Sequence, residues 1–189
     1  MSRQHQRFSK SQLLYAYLPK YKGEDKRPLE NTSRSVAKEI AQGRFYFLEI
    51  NIGNIKGTEV IRFKRLKDNV VAEKINDNLK RAYSIRPPSR DEIVSQLCIL
   101  LKEGYPKSIL RLDINSFYSS IDIDILFRKL DRDSLMTYET RRILQDQLQS
   151  IKSQGIDGLP RGMSISATLS EIFMKEIDIK IRSLSGIYY

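Results

Sequence analysis

A single cysteine, Cys98, and a single histidine, His5, stand in this chain. One cysteine excludes a disulfide framework and a cysteine-rich zinc site, and one histidine excludes an imidazole cluster or a histidine-centred triad. Any metal ion must therefore be held by oxygen, chiefly from carboxylates. No run of about 18 apolar residues occurs, and the opening Met-Ser-Arg-Gln-His lacks the apolar stretch of a secretory signal. The reading is a soluble, cytoplasmic chain with no membrane segment, in which the sequon at Asn31-Thr32-Ser33 has no use because glycosylation needs a secretory route. Internal repeats and low-complexity linkers are missing too.

What is present is a basic chain with enough apolar content, 40%, to build a core from its 189 residues. Lys and Arg number 33 against 23 Asp and Glu, a net charge of +10. The excess is uneven: residues 1–100 hold 20 basic and 11 acidic side chains (+9), whereas 101–189 hold 13 and 12 (+1). This asymmetry implies a basic N-terminal lobe facing a polyanion, for which nucleic acid is the default, against the plainer reading of a solubilising surface.

Along the chain, Ser9 can cap a short helix bearing Leu13, Leu14, Tyr17 and Leu18, which Pro19 ends, and residues 20–31 read as a polar loop. A second short helix is expected over 35–42. Leu48, Ile50 and Ile52 alternate with polar residues, and after Gly53 to Gly57 the alternation resumes with Ile61 and Phe63 against Arg62 and Lys64, which predicts a basic β-hairpin. Residues 76–80 read as a helical turn, and 81–88 as extended, because Pro87 and Pro88 disfavour the α region before them. Ser89 with Glu92 forms a capping box for the clearest helix, striped by Ile93, Leu97, Leu100 and Leu101 and stopped by Gly104 and Pro106. Cys98 falls on that stripe and reads as a small core residue rather than a nucleophile. Leu110, Leu112 and Ile114 alternate with Arg111, Asp113 and Asn115, predicting a strand that buries one face and presents Asp113 on the other. Further helices are expected over 123–130, 138–151 and 166–182. The fold class that follows is α+β.

Two stretches carry the chemistry: Leu112-Asp113-Ile114-Asn115-Ser116-Phe117-Tyr118-Ser119-Ser120-Ile121 and Gly158-Leu159-Pro160-Arg161-Gly162-Met163-Ser164-Ile165-Ser166. The first is a carboxylate at a strand end followed by two aromatics and a turn. The second is a Gly/Pro loop entering a helix, whose backbone can approach a ligand and whose first N–H groups favour an anion or a base edge. Taken singly, the first is as compatible with a turn or cap residue and the second with an ordinary turn.

In this order, and about 45 residues apart, the two stretches resemble motifs A and B of the reverse transcriptase palm. The resemblance covers residues 61–189 and implies right-hand polymerase fingers and a partial palm with an incomplete antiparallel sheet, divided as an N-terminal helical extension (1–44), fingers (45–107) and partial palm (108–189). It implies that Asp113 binds two catalytic Mg²⁺ ions with the Ile114 carbonyl as a neighbouring ligand, since hard cations that activate a primer hydroxyl and stabilise a leaving pyrophosphate demand oxygen. Tyr118, five residues on, matches the bulky gate under the incoming sugar and implies dNTP use, with Phe117 packing below. Gly158, Pro160, Arg161 and Gly162 match the turn that floors the nascent base pair, and Ser166 the serine opening the next helix, where it can also be an N-cap. Arg161 stands where many members have Gln, and Ala167 where Pro is common. Both departures look closer to the bacterial defence-associated members, which implies a role in antiphage defence.

In the fingers, Lys80-Arg81-Ala82-Tyr83 followed by Pro88-Ser89-Arg90-Asp91-Glu92 resembles the family's segment in which an Arg meets the triphosphate. Arg81 takes that place by the match, with Arg86 and Arg90 as rivals. Lys64, Arg65 and Lys67 are expected to grip template phosphates, or to solvate an edge. Asp122 and Asp124 sit at a helix start and read as cap and dipole residues. Glu171, Glu176 and Asp178 read as the solvent face of the last helix. The chain reaches Ile187-Tyr188-Tyr189 without the Asp-Asp of motif C, so the expectation is a partial sequence of a longer gene, inactive by itself. RNA template, DNA primer or product and dNTPs are the implied partners, and a partner subunit is left open. A second reading, a catalytically silent scaffold that binds nucleic acid, shares these residues.

Overall fold

A computed structural model describes residues 3–48, 50–55, 57–86, 89–106 and 108–184. The long helix α3 (Leu66–Tyr83) is its centre: Val70, Val71, Ile75 and Leu79 are fully buried. Around it pack α1 (Lys10–Tyr17), α2 (Arg27–Ala41), α7 (Tyr138–Lys152), α8 (Ser164–Leu184) and the hairpin strand β2 (Thr58–Phe63). One buried cluster runs from Phe8 to Ile172.

Several expectations hold. Ser9 caps α1, its hydroxyl accepting from Gln12 N–H, and Ser89 with Glu92 closes both bonds of a capping box on α4 (Arg90–Lys102). β1 (Ile50–Ile55) pairs antiparallel with β2, placing Ile52 opposite Ile61 and Ile50 opposite Phe63, though it starts after Leu48 and runs on through Gly53 to Ile55, which were expected in the break between strands. Phe47 stacks on Phe63 at 5.0 Å and meets Phe45 edge-on at 5.1 Å, so the hairpin rests on an aromatic base. Asp122 caps α6 (Ile123–Asp133), accepting from Asp124 and Ile125 N–H, and α7 fills the expected span.

Others are corrected. The expected loop 20–31 ends early because α2 begins at Arg27: Pro28 suits its first turn, and Leu29, Ser33, Val36 and Ile40 bury one face. The helical turn at 76–80 belongs to α3, eighteen residues long, which continues through Arg81 to Tyr83 where an extended segment was expected. Ser84 ends it in the left-handed region at φ 53. Pro87 and Pro88, like the apolar residues 187–189, lie outside the described residues.

The reason α3 is hard to read is chemical. Its buried face carries Asp68, Lys74, Asn76 and Asn78 among the aliphatic residues, so the apolar period is broken. Each of these is bonded. Lys74 Nζ donates to His5 O (2.6 Å), Gln12 Oε1 (3.0 Å) and Asp77 Oδ2 (3.2 Å). Asn78 Nδ2 donates to Gln6 O (3.1 Å) and Thr140 Oγ1 (3.0 Å). Gln6, itself buried, donates to Leu135 O (2.8 Å) and accepts from Thr137 N–H (2.7 Å). The N-terminal 3-10 turn is thereby stitched into the body of the fold.

The largest correction concerns 110–114. No strand forms there, and Ile109, Leu110 and Leu112 are 72%, 80% and 73% exposed. A strand needs a neighbour for its N–H and C=O groups, and no described residue pairs with this one. Helix α4 behaves alike: none of its residues is buried, Leu97 and Leu101 of its apolar stripe are exposed, and Cys98 is exposed rather than a core residue. The described fold is therefore mostly helical with one two-stranded antiparallel sheet, compatible with α+β. Among the described residues no helix is long and apolar enough to cross a membrane.

Candidate active site

Ser116 turns the chain after Asp113. It occupies the left-handed region at φ 50, a conformation that costs a residue with a Cβ roughly 1–2 kcal/mol. The short helix α5 (Phe117–Ser120) that follows repays some of this in hydrogen bonds: Ser120 N–H donates to Ser116 O (3.0 Å), and the Ser119 and Ser120 hydroxyls donate to Ser116 O and Phe117 O (both 2.9 Å). The reversal brings Asp113, Phe117 and Tyr118 to one place. The two rings lie 5.5 Å apart and are half-buried against the core.

The second stretch docks onto this turn through its backbone. Leu159 N–H donates to Tyr118 O at 2.8 Å. That approach requires Gly158, at φ 68, because a Cβ there would lie 2.5 Å from Tyr118 O and 2.7 Å from Ser119 Cα. Arg161 O accepts from Ile61 N–H of β2 at 2.8 Å, and a Cβ on Gly162, at φ 90, would strike Val60 Cγ1. The loop is thus wedged between the Asp113 turn and the hairpin. Helix α8 opens at Ser164, two residues before the expected serine. Ser166 is buried and is no N-cap: its hydroxyl donates to Pro160 O and closes the loop on itself.

Together the two stretches enclose a cleft of about 540 Å³, lined by Asp113, Tyr118, Arg161, Gly162, Met163 and Ser166 among others. Among the described residues neither the Asp113 carboxylate nor the Arg161 guanidinium has a hydrogen-bond or ion-pair partner. An exposed, unspent carboxylate offers oxygen to a hard cation, and an unspent guanidinium offers a fork to phosphate oxygens. No group of three or more His, Cys, Asp or Glu gathers among the described residues to hold a metal ion. Asp113 and the Ile114 carbonyl supply the right donor chemistry for Mg²⁺, but only part of a six-oxygen shell.

Most of the other basic residues singled out from sequence lie elsewhere. Arg81 is on α3, its Nε donating to Asp77 Oδ1 (2.8 Å) and its guanidinium 5.8 Å from the centre of the Tyr15 ring. Arg65 forks onto the fully buried Asp68 (2.8 and 2.7 Å) and donates to Tyr46 O, and Lys67 pairs with Glu39 at 3.1 Å. Lys64, Arg86 and Arg90 are exposed and are not among the residues lining the cleft. Glu171 and Glu176 are exposed as expected, Glu176 being bound by Lys129 and Arg132, whereas Asp178 is half-buried.

Two residues escaped the sequence reading. Arg62, on β2, lines a smaller cleft of about 220 Å³ that adjoins the first through Gly162 and Met163. Its alternation with Ile61 and Phe63 was the available signal. Gln147, fully buried on α7, lines the same cleft, and nothing in its local pattern marks it.

A family model described as Reverse transcriptase (RNA-dependent DNA polymerase) matches residues 54–189, a span that takes in β2, α3 and both walls of the cleft. Searches among curated proteins and among solved structures found no match.

Proposed function

Because this chain belongs to the reverse transcriptase family, whose class of reaction is RNA-directed nucleotidyl transfer, we propose that it performs RNA-templated DNA synthesis at the cleft containing Asp113. The observation that carries the proposal is the convergence in one cleft of a carboxylate and a guanidinium, each unpaired among the described residues, with Tyr118, from stretches about 45 residues apart.

In this reading Asp113 and the Ile114 carbonyl hold Mg²⁺ together with carboxylates from a segment other than those described. The ions, when bound, supply charge neutralisation at the reacting phosphate and activation of the primer hydroxyl. The chain's own residues supply position. Arg161 forks onto phosphate oxygens of the nucleotide. Tyr118 lies under the sugar and leaves no room for a 2′-hydroxyl. Gly162, whose missing Cβ makes room for Val60, docks the loop on the hairpin so that its backbone floors the nascent base pair. RNA template, DNA primer and dNTPs are the substrates. The Arg161 and Ala167 departures support a place among bacterial antiphage-defence enzymes, which plaque counts with and without the gene would test.

The test of the chemistry is Asp113→Asn in the full-length protein, followed by dNTP incorporation on a primed RNA template. The expected result is a loss on the order of 10³-fold or more, the scale of removing a group that acts in the transition state, with binding to the primed template retained. Undiminished synthesis would overturn the assignment. One observation favours a second reading, a silent nucleic-acid-binding scaffold: among the described residues Asp113 is the sole acidic one lining the cleft. That reading expects the biological role to survive Asp113→Asn.

A further inference from the structure

The Arg161 side of the cleft is carried on the first turn of α8, and that turn is pegged to α3 by two hydroxyl groups. Ser164 Oγ donates to Glu73 Oε1 at 2.6 Å. One turn later Thr168 Oγ1 donates to Asn76 Oδ1 at 2.6 Å, both residues buried. Acceptors at i and i+3 on one helix meet donors at i and i+4 on the other, which sets both the sliding and the rotation of α8 against α3. The two pegs differ in kind. Asn76–Thr168 is a neutral pair sealed in the core. Glu73 is a mostly buried carboxylate whose Oε1 also takes Lys20 Nζ at 2.7 Å, and it lines the smaller cleft beside Gly162, Met163 and Ser164. Its negative charge sits at the N-terminal end of α8, where the free N–H groups favour an anion.

We infer that Glu73 is a positioning residue for the cleft: it anchors Ser164, and through the three residues before Ser164 it sets where the Arg161 guanidinium and the Gly162 backbone stand relative to Asp113. Lys20, half-exposed, screens the carboxylate but contributes little of the anchoring. The kinetic consequence rests on the polymerase reading above, whereas the anchoring does not.

The test therefore has two independent readouts. Hydrogen exchange follows the Ile61 and Leu159 amides, whose bonds to Arg161 O and Tyr118 O report how firmly the loop is docked. Steady-state kinetics of the full-length enzyme follow dNTP incorporation. Glu73→Ala and Ser164→Ala each remove the peg, and a hydrogen bond to a charged group is worth enough for about a tenfold effect. Each is expected to speed exchange of the Ile61 amide about tenfold and to raise KM for dNTP by a similar factor, with kcat changed about twofold at most. Glu73→Gln keeps an acceptor for Ser164 and is expected to restore both. The double variant is expected to be no worse than either single one. Unchanged Ile61 exchange in Ser164→Ala, a variant that retains the Lys20–Glu73 pair, would overturn the inference. So would a Glu73→Gln protein as loose as Glu73→Ala. A full-length wild-type protein without polymerase activity would sink the polymerase reading and leave the exchange data to judge Glu73.

Discussion

The amide of Leu159 donates to the carbonyl of Tyr118 at 2.8 Å, so the two stretches that build the cleft are joined main chain to main chain. A backbone bond of this kind makes no demand on either side chain. It demands space, which Gly158 provides, and it leaves Tyr118 and Arg161 free to serve the cleft.

Replacing Gly158 should therefore cost more than its backbone angle alone. Gly155 and Gly158 both have positive φ, 81 and 68, but a Cβ at Gly155 meets nothing within 4 Å whereas one at Gly158 runs into Tyr118 and Ser119. Gly155→Ala is expected to lose about 1 kcal/mol from left-handed strain, and Gly158→Ala at least about 2 kcal/mol more, because the joint must open. Urea denaturation of the pair checks this; equal losses would mean the loop yields easily.

Arg65 and Arg161 should separate stability from binding. Removing Arg65 strands the buried Asp68 carboxylate, and Arg65→Ala is expected to destabilise by roughly 3 kcal/mol. Arg161 is exposed, and its guanidinium has no partner among the described residues. Arg161→Ala should leave stability within about 0.5 kcal/mol. If it touches a phosphate, it should also flatten the plot of log K against log salt by about 1. Denaturation and nucleic-acid titrations at several salt concentrations read out both.

Lys74 should give the fold an alkaline signature. Burial holds its pKa below the ordinary 10.5, against the opposing pull of Asp77, with Arg81 lowering it further. Between the folded and unfolded values the unfolded chain binds the extra proton, so stability rises with pH as it approaches 10.5 from below, and what is gained there is lost as pH falls through the folded value. Lys74→Met should lack that rise. Denaturant midpoints from pH 8 upward, compared between the two proteins, measure it.

Tyr118 and Phe117 both line the cleft, yet only Tyr118 is proposed as the sugar gate. Tyr118→Ala is expected to cut the preference for dNTP over NTP by about 10–200-fold, the range for a pocket that loses one steric contact, while Phe117→Ala leaves the preference intact. Competition between the two nucleotide types on one template decides it, and an unmoved ratio in Tyr118→Ala retires the gate.

Much of the fold was legible where the signal is local. Ser9, Ser89 with Glu92, and Asp122 each cap the helix they were expected to cap, because a cap is a bond between residues two or three apart. The hairpin was legible because its alternation is a property of each strand. Helix α3 was not. Its buried Lys74, Asn76 and Asn78 look like surface residues until α1, α7 and α8 bring their partners.

The sequence alone determined the chemical inventory of the cleft: oxygen from Asp113, a guanidinium from Arg161, a ring from Tyr118, and glycines where backbones must touch. These are covalent facts, and their order along the chain carries the family resemblance. Arg65–Asp68 and Arg81–Asp77 are local pairs, three and four residues apart. Only the tertiary structure decided that Lys67 is taken, by Glu39 of α2. It also decided that 110–114 forms no strand among the described residues, because strand structure belongs to a pair of segments and cannot be written into one of them.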